Sequence, residues 1–139
     1  MSDRFRLSEQ PIDEPAVTAL VGQADAGGVV TFVGRVRDNA RGRSVIALEY
    51  DAYPEMAEAV FAQIAGEAAQ RFAIKQVAVH HRSGRLSVGE IAVVVAVSAA
   101  HRGEAFAACE YVIDQLKTRA PIWKKEFAAD GAVWVEENP

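Results

Sequence analysis

The feature of this sequence that most constrains its fold is an unbroken apolar run from Ile91 to Val97. The run is far shorter than the roughly 18 residues that a membrane-spanning helix needs, and its content of β-branched valine favours a strand. Because successive side chains of a strand point to opposite faces, a strand that is apolar at every position is buried on both faces. We therefore predict that this run is a central strand of a sheet and that the chain has no membrane partner.

The other strand signals are short alternating segments bounded by polar or glycine-containing turns. Gly34 interrupts one of them, which predicts a β-bulge or a close backbone approach. The strand that begins at Val45 is expected to pair with the strand before it, across the polar loop Asp38 to Arg43. Asp130 and Gly131 form the dipeptide most typical of a tight hairpin turn. The predicted strands are Arg4 to Leu7, Val29 to Arg37, Val45 to Tyr50, Gln76 to Arg82, Ile122 to Phe127 and Ala132 to Glu136.

Two helices are predicted in the first half of the chain from their start signals. Asp13, followed closely by Pro15, indicates an N-cap and a short helix that runs to about Ala24. Pro54 opens a second helix, which carries an apolar residue at every fourth position and is expected to pack on a sheet. That apolar stripe consists of Met56, Val60, Ile64, Ala68 and Phe72.

A third helix is predicted to begin after His101 and to end near Ala120, because Pro121 disfavours helical geometry in the residue before it. Its apolar stripe places Cys109 near the middle, where a cysteine is typically a small buried hydrophobic residue. Lys117 lies at the border of the stripe, roughly 75° from its centre. Two interpretations of this lysine stay open: an aliphatic stem that covers apolar surface, or a partly desolvated amine suited to acid–base chemistry. The stripe comprises Phe106, Cys109, Val112, Ile113 and Leu116.

Composition and charge describe one globular domain over residues 1–139. Helices and strands in mixed order, with several β-hairpins, predict the α+β class. Fifteen Lys and Arg against nineteen Asp and Glu give a net charge of −4, which argues against nucleic acid as a partner. The segment Met1 to Pro11 lacks the apolar core of a signal peptide, so we expect a cytoplasmic protein. A single cysteine excludes an internal disulfide and a thiolate-rich zinc site, and neither a metal nor a cofactor is predicted.

Cations occur near both ends of the third helix. Lys124 and Lys125 follow its end together with Arg119, which implies a clustered positive field. As strand neighbours the two lysines point to opposite faces, so at most one of them faces a pocket, and a solvated edge strand is the alternative. His101 and Arg102 stand at the start of the helix, where backbone N–H groups favour an anion, although such a pair is more commonly a cap and a surface ion pair.

Two further pairs of polar residues fall on predicted strands. Arg35 and Arg37 share one strand face and can project toward the same region. His80 and His81 point to opposite faces, which argues against joint metal ligation, and both are interpreted as structural. The sequence contains no nucleophile elbow, phosphate-binding loop, dinucleotide fingerprint or zinc-protease motif.

Three segments of the chain together resemble a known family. They are Phe32-Val33-Gly34-Arg35-Val36-Arg37, Ser98-Ala99-Ala100-His101-Arg102 and the block Leu116 to Glu126, which reads LKTRAPIWKKE. The resemblance is to the large, catalytic subunit of molybdopterin synthase, the MoaE family, and it spans nearly the whole chain. It implies an α/β-hammerhead fold and a central homodimer that carries a small ubiquitin-like sulfur-carrier subunit at each end, as a heterotetramer. It also implies a sulfurtransferase that converts cyclic pyranopterin monophosphate into the dithiolene molybdopterin.

The same resemblance implies roles for individual residues. The thiocarboxylated C-terminus of the small subunit would enter a pocket formed by Phe32, Arg37, Lys117, Lys124 and Glu126. Lysines there would stabilise the thiocarboxylate and a developing oxyanion. Lys117 is expected to be the acid–base catalyst, and Lys124 to supply charge or a further proton transfer.

By the same resemblance, the substrate phosphate is expected to contact His101, Arg102 and Arg37, with some of these contacts donated across the dimer interface. Two positions depart from the family pattern. Ile113 stands where a methionine is common, which is a conservative change. Glu137 and Asn138 stand where some members carry an arginine, which puts one anion contact in question.

The missing thiol is accounted for if the sulfur arrives on a partner, so the isolated chain is predicted to be inactive. The competing class is a non-catalytic module, in which the Lys117 to Lys125 region and the Arg35 to Arg43 loop bind an anionic metabolite or an acidic protein tail. Nucleic-acid binding through Arg35 to Arg43 is a third possibility, and it conflicts with the acidic total charge.

Overall fold

Nine strands and three helices make up the part of the chain that the computed structural model describes, residues 3–40 and 42–137. They alternate without a strict strand–helix–strand order, which confirms the α+β prediction. In chain order they are β1 (Phe5–Ser8), α1 (Glu14–Ala19), β2 (Gly28–Arg35), β3 (Asn39–Ala40), β4 (Arg43–Ala52), α2 (Pro54–Arg71), β5 (Gln76–Arg82), β6 (Gly84–Ser87), β7 (Ile91–Ala99), α3 (Arg102–Arg119), β8 (Ile122–Ala128) and β9 (Val133–Glu137).

The first sheet has the strand order β1-β5-β7-β2, with β7 in an interior position as its sequence predicts. β7 pairs antiparallel with both neighbours, and β1 pairs parallel with β5. Alternate residues of β7 enter two separate cores: Val93 and Val95 join the core under α2 and α3, whereas Val94 packs with Val17 of α1. Burial on both faces therefore explains why β7 carries no polar side chain before Ser98.

The second sheet has the order β3-β4-β8-β9, and β6 also pairs with β4. The expectation that β4 pairs with β2 is wrong, because β2 forms its ladder with β7. β4 is ten residues long and gains ladders with β8 along most of its length and with β6 over Ala47 to Tyr50. Strands that are close in sequence tend to pair with each other, but the longer ladders that β4 forms with β8 and β6 outweigh this tendency. The hairpin predicted around Asp130 and Gly131 is present, since β8 pairs antiparallel with β9.

The helix boundaries are largely as predicted, with one exception in α1. The Asp13 side chain accepts a hydrogen bond from the Ala16 N–H at 3.3 Å, as expected for an N-cap. The helix ends at Ala19 rather than near Ala24. Val21, two residues after the helix end, is fully buried. The chain leaves the helical path here and brings the Val21 side chain into the core.

The buried faces of α2 and α3 differ from the predicted stripes. Met56 and Phe106, predicted to be buried, are 57% and 60% exposed. Alanines are prominent on the buried faces of both helices instead, because small side chains let a helix approach the sheet closely. The buried residues of α2 are Ala57, Phe61, Ile64, Ala65 and Ala68, and those of α3 are Ala105, Ala108, Cys109, Val112 and Leu116. Among the described residues, no helix is long and apolar enough to cross a bilayer.

Candidate functional site

A cavity of about 160 Å³ lies where the last turns of α3 meet both sheets. Residues of β2, β4, β5, β7, α3 and β8 line it, together with the segment between β2 and β4. All five residues that the resemblance assigns to the tail pocket lie on its walls. They are Phe32, Arg37, Lys117, Lys124 and Glu126.

Gly34 shapes the wall that carries the arginines. The ladder between β2 and β7 shifts register between Gly34 and Arg35, at the predicted bulge. A Cβ atom on Gly34 would lie 2.7 Å from Cγ1 of Val93 and 3.3 Å from the Phe32 ring, so the close approach requires glycine. Beyond the bulge, Arg35 and Arg37 both line the cavity, as their shared face predicts, and the Arg35 guanidinium donates to the Gly89 carbonyl at 2.9 Å.

The two lysines reach the cavity from opposite sides of the turn at Pro121. Lys117 lies in the last turn of α3, where the helix dipole favours a cation. Its side chain is exposed in the single chain, yet it lines the same cavity as Arg37 and Lys124. Lys124 is more enclosed, with 18% of its side chain exposed, and its ammonium lies 3.6 Å from the carboxylate of Glu126. The two strand residues share a face because they are two positions apart.

The cavity carries an excess of positive charge. Its described lining holds four cations, which are Arg35, Arg37, Lys117 and Lys124, and one carboxylate, that of Glu126. Four against one gives the lining a net charge of +3, in a chain whose net charge is −4. Such a local excess is suited to an anion and to a developing oxyanion.

Tyr50 is a neutral member of the cavity lining. Burial, reinforced by the negative charge of Glu126, raises the pKa of the Tyr50 phenol to about 12. The phenol therefore keeps its proton at neutral pH and can donate a hydrogen bond into the cavity. No role beyond its strand is predicted for Tyr50 from the sequence, because a tyrosine on an apolar alternating strand carries no signal that would reveal one.

His81 is the second residue whose position the sequence did not reveal. The sequence predicts a structural role for it, yet it lines the cavity, and its ring packs edge-on against the Tyr50 ring with centroids 5.0 Å apart. Burial, with a further contribution from the positive charge of Lys117, lowers the pKa of His81 to about 4. The predicted opposition to His80 agrees with the structure, in which His80 contacts the Asp3 carbonyl at 2.7 Å instead.

Two of the nearby cations are engaged elsewhere, which reduces the predicted positive cluster. Arg119 does not line the cavity: its guanidinium donates to both carboxylate oxygens of Glu67 on α2, one of them at 2.9 Å. Lys125 points to the other face of β8, as the alternation predicts, and its ammonium lies 3.7 Å from Glu49. The lysines that line the cavity are therefore Lys117 and Lys124.

His101 and Arg102 lie at the opposite end of α3 from Lys117. Lys117 is fifteen positions after Arg102 on one helix, a distance of about 22 Å along its axis. His101 makes no side-chain cap, and the two residues line a separate shallow pocket with Gly27. Within one chain they therefore do not meet the same anion as Arg37. Asn138, at which a basic contact was questioned, lies outside the described residues.

Cys109 lies on the buried face of α3, and 4% of the residue is exposed. Burial raises the pKa of its thiol to about 11, so the reactive thiolate is scarce at neutral pH. Among the described residues, no three His, Cys, Asp or Glu side chains converge as a possible metal-ligand set.

Comparison with known proteins identifies the family. The family model described as MoaE protein matches residues 7–119. This chain belongs to the MoaE family. A molybdopterin synthase catalytic subunit from Nostoc sp. is 46% identical over 137 residues, which cover 97% of this chain and 83% of that relative.

Two solved structures of MoaE-type proteins share the fold. The crystal structure of molybdopterin synthase from Staphylococcus aureus superposes with a TM-score of 0.92 at 34% identity, covering 99% of this chain and 100% of that one. Molybdopterin cofactor biosynthesis protein E from Burkholderia multivorans gives a TM-score of 0.80 at 42% identity, with coverages of 95% and 94%. These likenesses confirm the family and the fold that the three sequence segments imply.

Proposed function

We propose that this chain is the catalytic subunit of a molybdopterin synthase, a sulfurtransferase that acts with a small sulfur-carrier subunit on cyclic pyranopterin monophosphate. Membership of the MoaE family and relatives named as catalytic subunits support the activity. The observation that carries the proposal is the convergence of Arg37, Lys117 and Lys124 on one cavity that contains no thiol. In this proposal residues 1–139 act as a single domain.

The sulfur must come from outside the chain. Cys109 is the single cysteine, and it is buried away from the cavity lining with its thiol protonated. A C-terminal thiocarboxylate on a small partner subunit satisfies this need, because it brings both sulfur and negative charge to a cationic cavity. The cavity's small volume suits a narrow chain terminus rather than a folded surface.

Lys117 and Lys124 then differ in role because their surroundings differ. Lys124 is held by Glu126, so its charge is fixed beside the entering thiocarboxylate. Lys117 stands at the exposed rim, where it can exchange protons with solvent between turnovers, and we assign it the acid–base role as the pterin side-chain carbons are substituted. Tyr50 adds a neutral donor beside them.

The phosphate of the substrate is assigned to Arg37 together with His101 and Arg102. Because the last two lie far from the cavity within one chain, the proposal requires that a second copy brings its own His101 and Arg102 to the site. This arrangement makes the homodimer part of the active unit. A cytoplasmic location remains a prediction, which cell fractionation would check.

The experiment that tests the function combines the purified chain, a thiocarboxylated small subunit and cyclic pyranopterin monophosphate, and measures formation of the dithiolene product. Lys117→Ala is expected to lower the rate at least 100-fold, the lower range for loss of a general acid–base group, with unchanged binding of the small subunit. Lys125→Ala, on the other face of β8, is the matched control and should stay close to the unsubstituted rate.

Two results would contradict this function. Turnover by the isolated chain without the thiocarboxylated partner would show that sulfur has another source. A Lys117→Ala protein that turns over normally but binds ligand weakly would favour the non-catalytic module that binds an anionic metabolite or an acidic tail.

A further inference from the structure

His81 is a buried cavity residue that the function proposed above does not use. Only 2% of the residue is exposed, and its ring lies among Tyr50, Lys117 and the other lining residues. Val77, Val79 and His81 share one face of β5, the face that packs toward α2 and α3. The ring packs against Tyr50 on the cavity side, and the residue also borders a second pocket beside α1.

The hydrogen bonds of His81 fix which nitrogen carries the proton. Nδ1 lies 2.7 Å from the backbone carbonyl oxygen of Arg82, and a carbonyl oxygen can only accept. Nδ1 of the neutral ring is therefore the donor, and Nε2 carries the lone pair. Nε2 is fully buried and has no hydrogen-bond partner among the residues that the structure describes. Leaving a buried acceptor unpaired destabilises a folded chain, so such an atom calls for an explanation.

Burial first, and the charge of Lys117 second, keep the His81 ring neutral in its cationic surroundings. Lys117 faces it from α3, Lys124 with its partner Glu126 from β8, and Arg37 from the segment after β2. Burial and the charge of Lys117 hold the pKa of His81 well below its ordinary value. The lone pair on Nε2 is thus present throughout the physiological pH range, and the ring is unsuited to exchanging protons as a general base there.

We propose that entry of a ligand into the cavity uncovers Nε2 of His81, which then accepts a hydrogen bond from an N–H group of that ligand and so positions it. The proposal rests on the function given above, in which both ligands carry N–H groups: the peptide N–H of the sulfur-bearing terminus and the ring N–H of the pterin. The cations of the lining can only donate, and the Glu126 carboxylate already faces Lys124. The other side-chain acceptors in the lining are the oxygens of Asn39 and Tyr50. An entering N–H therefore finds in His81 an acceptor that no described protein group occupies.

Nuclear magnetic resonance on ¹⁵N-histidine-labelled protein tests the proposal directly. In the free protein the Nε2 resonance of His81 should be that of an unprotonated nitrogen from pH 5.5 to 8. Addition of a synthetic peptide with the small subunit's C-terminal sequence, or of cyclic pyranopterin monophosphate, should shift this resonance in the direction of hydrogen-bond acceptance. The ligand that produces the shift is the donor. A saturating excess of each ligand that leaves the resonance unmoved overturns the proposal.

Substitution separates this positioning role from a structural one. His81→Phe keeps a ring against Tyr50 and removes the acceptor, whereas His81→Gln keeps an acceptor oxygen near the position of Nε2. His81→Phe should raise KM for the donor ligand about tenfold or more with a much smaller change in kcat, because the ligand N–H is left unpaired when buried. His81→Gln should restore most of that loss. His80→Phe, on the opposite face of the sheet, is the control.

The outcomes distinguish this proposal from the function on which it rests. KM values within twofold of the unsubstituted protein for both ligands in His81→Phe, or an equal loss in the folded Phe and Gln variants, overturn the role of His81. Absence of product with unsubstituted protein and both substrates overturns the function instead, and the resonance of Nε2 then still decides whether His81 meets a ligand. If His81→Phe does not fold, the resonance experiment on the unsubstituted protein decides between the two roles.

Discussion

Cys109 is the residue at which burial and chemistry can be separated most simply. Its thiol lies under α3, 3.8 Å from the Val95 carbonyl oxygen, and it is absent from the cavity lining. Cys109→Ser should therefore leave the rate of product formation within about threefold of the unsubstituted rate. The new hydroxyl is buried and costs about 1–3 kcal/mol of unfolding free energy unless it bonds that carbonyl.

The reactivity of the same thiol gives a second measurement of its burial. Since the pKa of the Cys109 thiol is raised to about 11, alkylation by iodoacetamide at pH 7.5 should be slow in the native protein and rapid in urea. Fast native alkylation would contradict the burial of the thiol, and complete loss of activity in a folded Cys109→Ser protein would show that the thiol takes part in the reaction.

The position of a site residue could be predicted where a local sequence signal fixes the backbone around it. It could not be predicted where packing between distant segments decides which side chains meet. Lys117 and Lys124 both line the cavity because a helix ends at a proline and a strand follows, and both signals are local. The alternation of faces that places His81 applies to all strand residues alike, so it does not single out this histidine. Its contact with Tyr50 and its unpaired Nε2 depend on how two sheets meet, which no local pattern encodes.

Helices α2 and α3 are joined by a polar contact that the sequence did not predict. The Arg119 guanidinium donates to both oxygens of Glu67, and it also contacts the amide oxygen of Gln115 at 3.1 Å. The lysines that neighbour Arg119 along the chain predict a cationic cluster that includes it. The structure shows that the position of Arg119 on the α2 side of α3 decides its partner instead.

The contribution of this pair to stability should depend on pH in a defined direction. The hydrogen bond from Arg119 lowers the pKa of the Glu67 carboxyl below its ordinary value. A carboxyl with a lowered folded pKa stabilises the fold above its unfolded pKa, and the contribution is lost as pH falls through the folded pKa. Arg119→Met should therefore lower Tm at pH 7 and lower it less at pH 3. Both residues are partly exposed, so a modest effect is expected.

A double-mutant cycle checks that the pair is the cause. In thermal unfolding at pH 7, Glu67→Gln in the Arg119→Met background should add little to the effect of Arg119→Met alone, because residues that act as one pair are not additive. Equal and additive decreases in Tm would mean that the two side chains stabilise the fold through separate contacts.

At the level of elements, the boundaries were easier to predict than the partners. Pro54, Pro121 and the Asp130-Gly131 turn fixed where α2 and β8 begin and where the last hairpin turns, because each acts on the adjacent backbone. The pairing of β4 with β8 joins residues seventy or more positions apart. Such pairing is decided by the total ladder and core that the chain can form, and a local alternation pattern is compatible with several partners.

The whole molecule presents the two halves of the predicted site at opposite ends of α3. Lys117 lies at the cavity, and Arg102 begins the helix about 22 Å away along its axis. A phosphate of one substrate molecule cannot bridge that distance within a chain. If both residues serve one reaction, each complete site must combine Lys117 of one copy with Arg102 of the other.

Mixing inactive variants tests this arrangement. Lys117→Ala and Arg102→Ala chains are each expected to form inactive homodimers. Randomly mixed by co-refolding, half of the dimers contain one copy of each variant. One of the two sites in such a dimer then combines an intact Lys117 with an intact Arg102, so the mixture should recover about one quarter of the unsubstituted activity. If each site were built within one chain, every site in the mixture would lack one of the two residues, and no activity would return. Recovery of activity would therefore show that each site is shared between two copies. A mixture of folded dimers without activity would show that each site is built within one chain.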